Sequence, residues 1–123
     1  MAPDTIEIFV RGLDENDAAT WLRERFDDLN EGDQGPTITF HATDGDATVP
    51  IQVAVDVQNG PYTSLWFRGG DLPWDSTISC ARDAHEALGK DVICYPDQSD
   101  DPWQMVRFVD GTEERVDERE LAF

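Results

Sequence analysis

Between Thr48 and Val57 the chain alternates. Val49, Ile51, Val53, Val55 and Val57 take every odd position, and Gln52, Ala54 and Asp56 fall between them. Period-2 alternation over almost ten residues predicts a strand with one buried face and one wet face. The buried row is β-branched, which suits a pleated surface. A one-residue slip would turn every valine into water, so the register is strongly set. Asp44-Gly45 before this strand and Asn59-Gly60 after it supply the positive φ angles that tight hairpins need. They predict a three-stranded meander of 37–41, 48–57 and 62–68. The first turn is expected to be slightly long, taking in Asp46-Ala47. Paired on both sides, strand 48–57 is expected at the centre of the sheet.

The rest of the chain reads in the same way. Ile6, Ile8 and Val10 share one face of a first strand, with Glu7 and Phe9 on the other, and Gly12 ends it. Asp14 is a good helix N-cap. Ala18, Trp21, Leu22, Phe26 and Leu29 then give the 3-4 spacing of one apolar stripe, so this helix is expected to reach about Leu29. Asp75 or Ser76 caps a second helix, with Ile78, Ala81, Ala84, His85 and Leu88 inward and Gly89 as its stop. Residues 92–95 form a short strand, and 103–109 with 112–116 a last hairpin about Asp110-Gly111. The tail, 117–123, is a short helix or frayed. The predicted order is β-α-β-β-β-α-β-β-β. It describes one α+β domain, a two-layer sandwich with both helices on one face of a mostly antiparallel sheet. By element order alone it is an elaborated relative of the ferredoxin-like pattern.

Charge changes the picture of the environment, not of the fold. The 123 residues carry 27 acidic and 9 basic side chains, a net charge of -18. Lys90 is the single lysine; the other basic residues are arginines. So much like charge loosens the compact state at low salt. At molar salt the Debye length falls to about 3 Å and the repulsion is screened. Acids spread through every segment with lysine nearly absent resemble the composition of haloarchaeal proteins. The resemblance implies a high-salt milieu and no activity. The stretch Trp74-Asp-Ser-Thr-Ile-Ser-Cys-Ala-Arg-Asp-Ala-His-Glu-Ala-Leu-Gly89 also resembles segments of small microbial α+β proteins, and this carries no function either. The even spread of acids speaks against a nucleic-acid mimic. The N-terminus lacks the pattern of a secretory signal, and no run of 18 apolar residues exists, so a cytoplasmic protein is expected.

Few residues suggest chemistry. Arg68-Gly69-Gly70 leads towards a helix N-terminus, where backbone amides bind anions, but Asp71 and Asp75 would repel a phosphate. His41 lies on a polar strand face, and His85 reads as a hydrogen-bonded structural histidine. Asp97, Asp100 and Asp101, or Asp44 with Asp46, match no calcium-loop spacing. Cys80 and Cys94 make neither a disulfide framework nor a zinc site and read as buried thiols of neighbouring elements. No cofactor and no metal is expected. Trp66 stands between Leu65 and Phe67, so its strand bears large apolar groups on both faces. An aromatic group on the helix-free face marks a partner surface unless the tail, with Leu121 and Phe123, covers it.

The expected function is thus a non-enzymatic interaction domain using that face, through a protein partner or self-association. Nucleic acid is not expected, because stacking platforms need a positive groove. The alternative is an enzyme or small-ligand binder with a pocket at the start of the second helix. The candidate residues are Trp66, Arg68, Trp74, His85 and Trp103. Stability is predicted to rise steeply with salt: the melting temperature in ~1 M salt should lie well above that in dilute buffer. Equal melting temperatures would contradict the screening argument.

Overall fold

The computed structural model describes residues 5–26, 28–31, 37–44, 47–54, 61–68, 72, 74–96 and 103–117. In chain order the elements are β1 (Thr5–Arg11), α1 (Glu15–Arg25), β2 (Asp28–Glu31), β3 (Thr37–Asp44), β4 (Ala47–Ala54), β5 (Tyr62–Arg68), α2 (Thr77–Leu88), β6 (Val92–Cys94), β7 (Gln104–Val109) and β8 (Thr112–Asp117). Eight strands form one sheet in the order β2-β3-β4-β5-β1-β6-β7-β8. Every described pairing is antiparallel. Both helices pack on one face, as the α+β reading expects. The set β1-α1-β4-β5-α2-β6 keeps the βαββαβ order, with hairpins added around it.

Strand β4 is paired on both sides, to β3 and β5, as the flanking turn signals predict. It is not the centre of the sheet. That place belongs to β5 and β1, because β1 joins the N-terminal meander to the strands that follow α2. The pairing of β3 with β4 runs up to Asp44 opposite Ala47, so Ala47 is strand and not turn. Asp117, the first residue of the tail, ends β8; residues 55–57, Asn59, Gly60 and 118–123 lie outside the described residues.

The helices are held at their ends by the expected groups. Asp14 accepts from the Asp17 N–H at 2.8 Å, and Ser76 accepts from the Ser79 N–H at 3.1 Å. Gly89 takes the left-handed conformation, φ 65°, that lets it close α2. The first helix is shorter than its stripe suggests. Phe26 is already extended, at φ -123° and ψ 152°, and Leu29 belongs to β2. Asp and Asn are weak helix formers, and residues 28–31 instead satisfy their backbone by pairing with β3. The stripe residues before that point behave as predicted: Ala18, Trp21, Leu22 and Phe26 are buried. The last hairpin turns through Asp110 and Gly111 with φ of 51° and 77°, both positive as a type I′ turn requires.

The helix-side core takes Ile6, Ile8 and Val10 from β1, Val49, Ile51 and Val53 from β4, Leu65 and Phe67 from β5, and the inner faces of both helices. Its densest part is aromatic. Trp74 stacks on Trp21 at 5.5 Å and meets Phe67 edge-on at 5.0 Å and Phe26 at 6.0 Å. Its indole N–H donates to Asp83 at 2.9 Å. The same carboxylate accepts from the Arg25 guanidinium at 2.6 and 2.7 Å. One side chain of α2 therefore fixes α1 and the segment before α2 together.

This clamp sets a pH dependence. The hydrogen bond from Arg25 holds the Asp83 carboxyl below its ordinary range; burial opposes it, and the Trp74 N–H and the Arg25 charge add to it. A depressed folded-state value stabilises the fold fully above the unfolded value of about 3.9. That contribution is lost as pH falls through the lower, folded value. Asp83→Ala should cost about 2 kcal/mol at neutral pH. In molar-salt denaturation, the gap between wild type and variant should shrink as pH drops below about 4. A gap that stays constant into strong acid would contradict the clamp.

Candidate functional site

The sheet has an outer face, opposite the helices, and register divides it into two halves. Phe9, Ile93 and Met105 belong to one half with Tyr62. They are buried, Ile93 and Met105 completely, and Tyr95 and Val116 pack against them. Phe9 and Tyr95 meet edge-on at 6.4 Å. This half is closed. The other half lies over β4 and the opposite ends of β5 and β1, where Gln52 is opposite Trp66 and Trp66 is opposite Glu7. Here Gln52, Ala54 and Trp66 are half-buried, and Thr5, Glu7 and Arg68 are exposed. This half is open.

Arg68 lies on the Trp66 ring, its guanidinium carbon 4.6 Å from the ring centroid. Stacking there orders the guanidinium while leaving its N–H edge to solvent. Among the described residues Arg68 makes no hydrogen bond and no ion pair. Other arginines are engaged with the chain's own acids: Arg25 with Asp83, Arg82 with Glu113, and Arg107 with Glu114. Glu7 accepts from the Ser64 hydroxyl at 2.9 Å.

The five candidate residues do not form one site. Trp66 and Arg68 come together. Trp103, 45% exposed, precedes β7. That strand is three places from β5, or about 14 Å at ~4.8 Å per strand. Trp74 is on the other side of the sheet, 6% exposed within the aromatic core. It fills the place at the start of α2 where a ligand pocket was expected. His85 is structural in its bonding. Its Nδ1 lies 2.7 Å from the Lys90 carbonyl and must donate to it, while Nε2 accepts from the Gly111 N–H at 2.9 Å. That is one neutral tautomer, tying the end of α2 to the β7–β8 turn. His41 is in β3 opposite Pro50. Asp46, Asp97, Asp100, Asp101, Gly69 and Gly70 lie outside the described residues.

A groove of about 230 Å³ lies at the other end of α2, lined by Asp17, Thr20, Trp21, Glu24, Ala87 and Leu88. It offers two carboxylates and a hydroxyl, with no histidine, cysteine or cationic side chain among its lining. The Trp21 indole N–H is buried without a partner, so it is sealed from this groove rather than presented to it. Among the described residues, no three His, Cys, Asp or Glu side chains converge as a metal site, and no helix is long and apolar enough to cross a membrane. Comparison with protein-family models, curated proteins and solved structures gives no match.

Cys80 and Cys94 are thiols outside any disulfide and completely buried, on α2 and β6. Burial pushes the Cys80 thiol well up, and the nearby Asp83 and Cys94 add to this. A reactive cysteine needs the opposite environment. Both thiols should therefore react slowly with a thiol reagent in the native protein, and two should titrate after unfolding without reductant. A fast-reacting thiol at neutral pH would contradict the assignment.

Proposed function

We propose that the chain is a non-enzymatic interaction domain adapted to high salt, and that it binds through the open half of its outer sheet face. The observation that carries this reading is the pairing of an exposed, uncommitted Arg68 with the half-buried Trp66 beneath it. Tryptophan and arginine are the residue types that dominate binding hot spots. Arg25, Arg82 and Arg107 are bonded to the chain's own carboxylates, whereas the Arg68 guanidinium is ordered by an aromatic ring and keeps its N–H edge for a partner. The even spread of acids supports the high-salt setting. Two buried thiols outside any disulfide fit a reducing cytoplasm, where we place the protein.

A photo-cross-linking residue substituted at Gln52, beside Trp66, tests the surface. In molar-salt extracts it should form adducts that the same group at Arg82, on the helix side, does not. Trp66→Ser should abolish them while leaving stability within about 1 kcal/mol, as surface changes do. Equal adducts at both positions, or a large loss of stability in Trp66→Ser, would contradict the proposal.

A further inference from the structure

The open patch contains both members of a complementary charge pair that do not bond to each other. Register sets Thr5 opposite Arg68 and Glu7 opposite Trp66. Glu7 and Arg68 are therefore diagonal neighbours on one face, at the ~7–8 Å typical of such positions. Opposite charges so placed ordinarily reach one another. Here Arg68 is laid over Trp66 instead, and Glu7 is engaged by the Ser64 hydroxyl. Both are exposed, and neither makes an ion pair among the described residues.

We infer that the patch docks a second copy of this chain, with Arg68 of each protomer meeting Glu7 of the other across a two-fold axis. The inference rests on the interaction reading above and names its partner. An isologous interface needs a surface complementary to itself, in which residue i meets j and j meets i. A patch with one cation, one anion and an aromatic centre meets that requirement; a purely acidic patch would not. The same charges explain a salt requirement. Two chains of net charge -18 repel at long range, and molar salt removes that repulsion while screening ion pairs enclosed within the interface much less. At ~4.8 Å between strands and ~3.3 Å per residue, the three strands of the patch cover at most roughly 400 Å², below the ~800 Å² per partner of a standard stable interface. The dimer is weak and forms at high protein concentration.

Sedimentation equilibrium in molar potassium chloride, across a protein concentration series, tests this. The wild type should show a reversible monomer–dimer equilibrium. Arg68→Glu and Glu7→Arg should each weaken it by about tenfold or more, and the double charge swap should return it to within about threefold of wild type. Melting curves identify any variant that fails to fold, and Arg68→Ala, which should also weaken the dimer, replaces it. A wild type that remains monomeric overturns the inference. So does a dimer indifferent to both single reversals, or a double swap that recovers nothing. The Gln52 cross-link separates the two proposals: an adduct of twice the chain mass supports self-docking. An adduct with a different polypeptide leaves the interaction reading standing and overturns the second copy. If the chain is monomeric and no adduct forms, both readings fall.

Discussion

Much of this structure depends on one carboxylate. Asp83, on α2, receives two hydrogen bonds from Arg25 on α1 and a third from the Trp74 indole. Those bonds hold Trp74 in the stack with Trp21, Phe26 and Phe67, and so seat both helices against β5. A buried aromatic group contributes a large apolar area, but area alone does not choose an orientation. The hydrogen bond to the indole does. The arrangement also tolerates a defect: the Trp21 N–H is buried with no partner, a cost of about 1–3 kcal/mol that the surrounding ring contacts must offset. Asp83 is one of 27 acids, and a guanidinium is committed to it through two hydrogen bonds.

Closing the helix side in this way leaves the outer face as the place where we propose recognition. That face is not uniform. Over β6 and β7 it is sealed around Ile93 and Met105; over β4 and β5 it is accessible around Trp66. A two-sided strand such as β5 is the physical origin of the asymmetry. Leu65 and Phe67 enter the helix-side core, and Trp66 must then point away from it. Surface tryptophan is costly in water unless something covers it, and among the described residues Arg68 lies over it.

How much of this was legible in the sequence follows from how local each determinant is. Alternation in 48–57 gives a strand and its buried row without help from the rest of the chain. Caps and turns at Asp14, Ser76, Gly89 and Asp110-Gly111 are local too, and the structure uses them all. The end of α1 was not legible. Leu29 continues the helical spacing, and only pairing with β3, where it meets Ala42 thirteen residues on, makes it a strand residue. The sheet centre was hidden for the same reason, since it depends on β1 meeting strands from distant parts of the chain. In the candidate site, Trp66 and Arg68 are near neighbours in sequence and were readable together. Glu7 was missed because register across β1 and β5 brings it there. Trp74 carried a misleading signal: a tryptophan in a loop reads as a surface group until Asp83, nine residues later, is seen to hold its indole inside.

The account's central claim is that the helix side is sealed and half of the outer face is open. Fluorine NMR of 5-fluorotryptophan-labelled protein with a soluble paramagnetic probe tests it most directly. The chain has four tryptophans, and each gives one resonance. At molar salt, and at a dilution where the protein is monomeric, the signals of Trp66 and Trp103 should broaden strongly, and those of Trp21 and Trp74 should stay sharp. A Trp66 signal as protected as that of Trp21, or a Trp74 signal as broadened as that of Trp103, would contradict it.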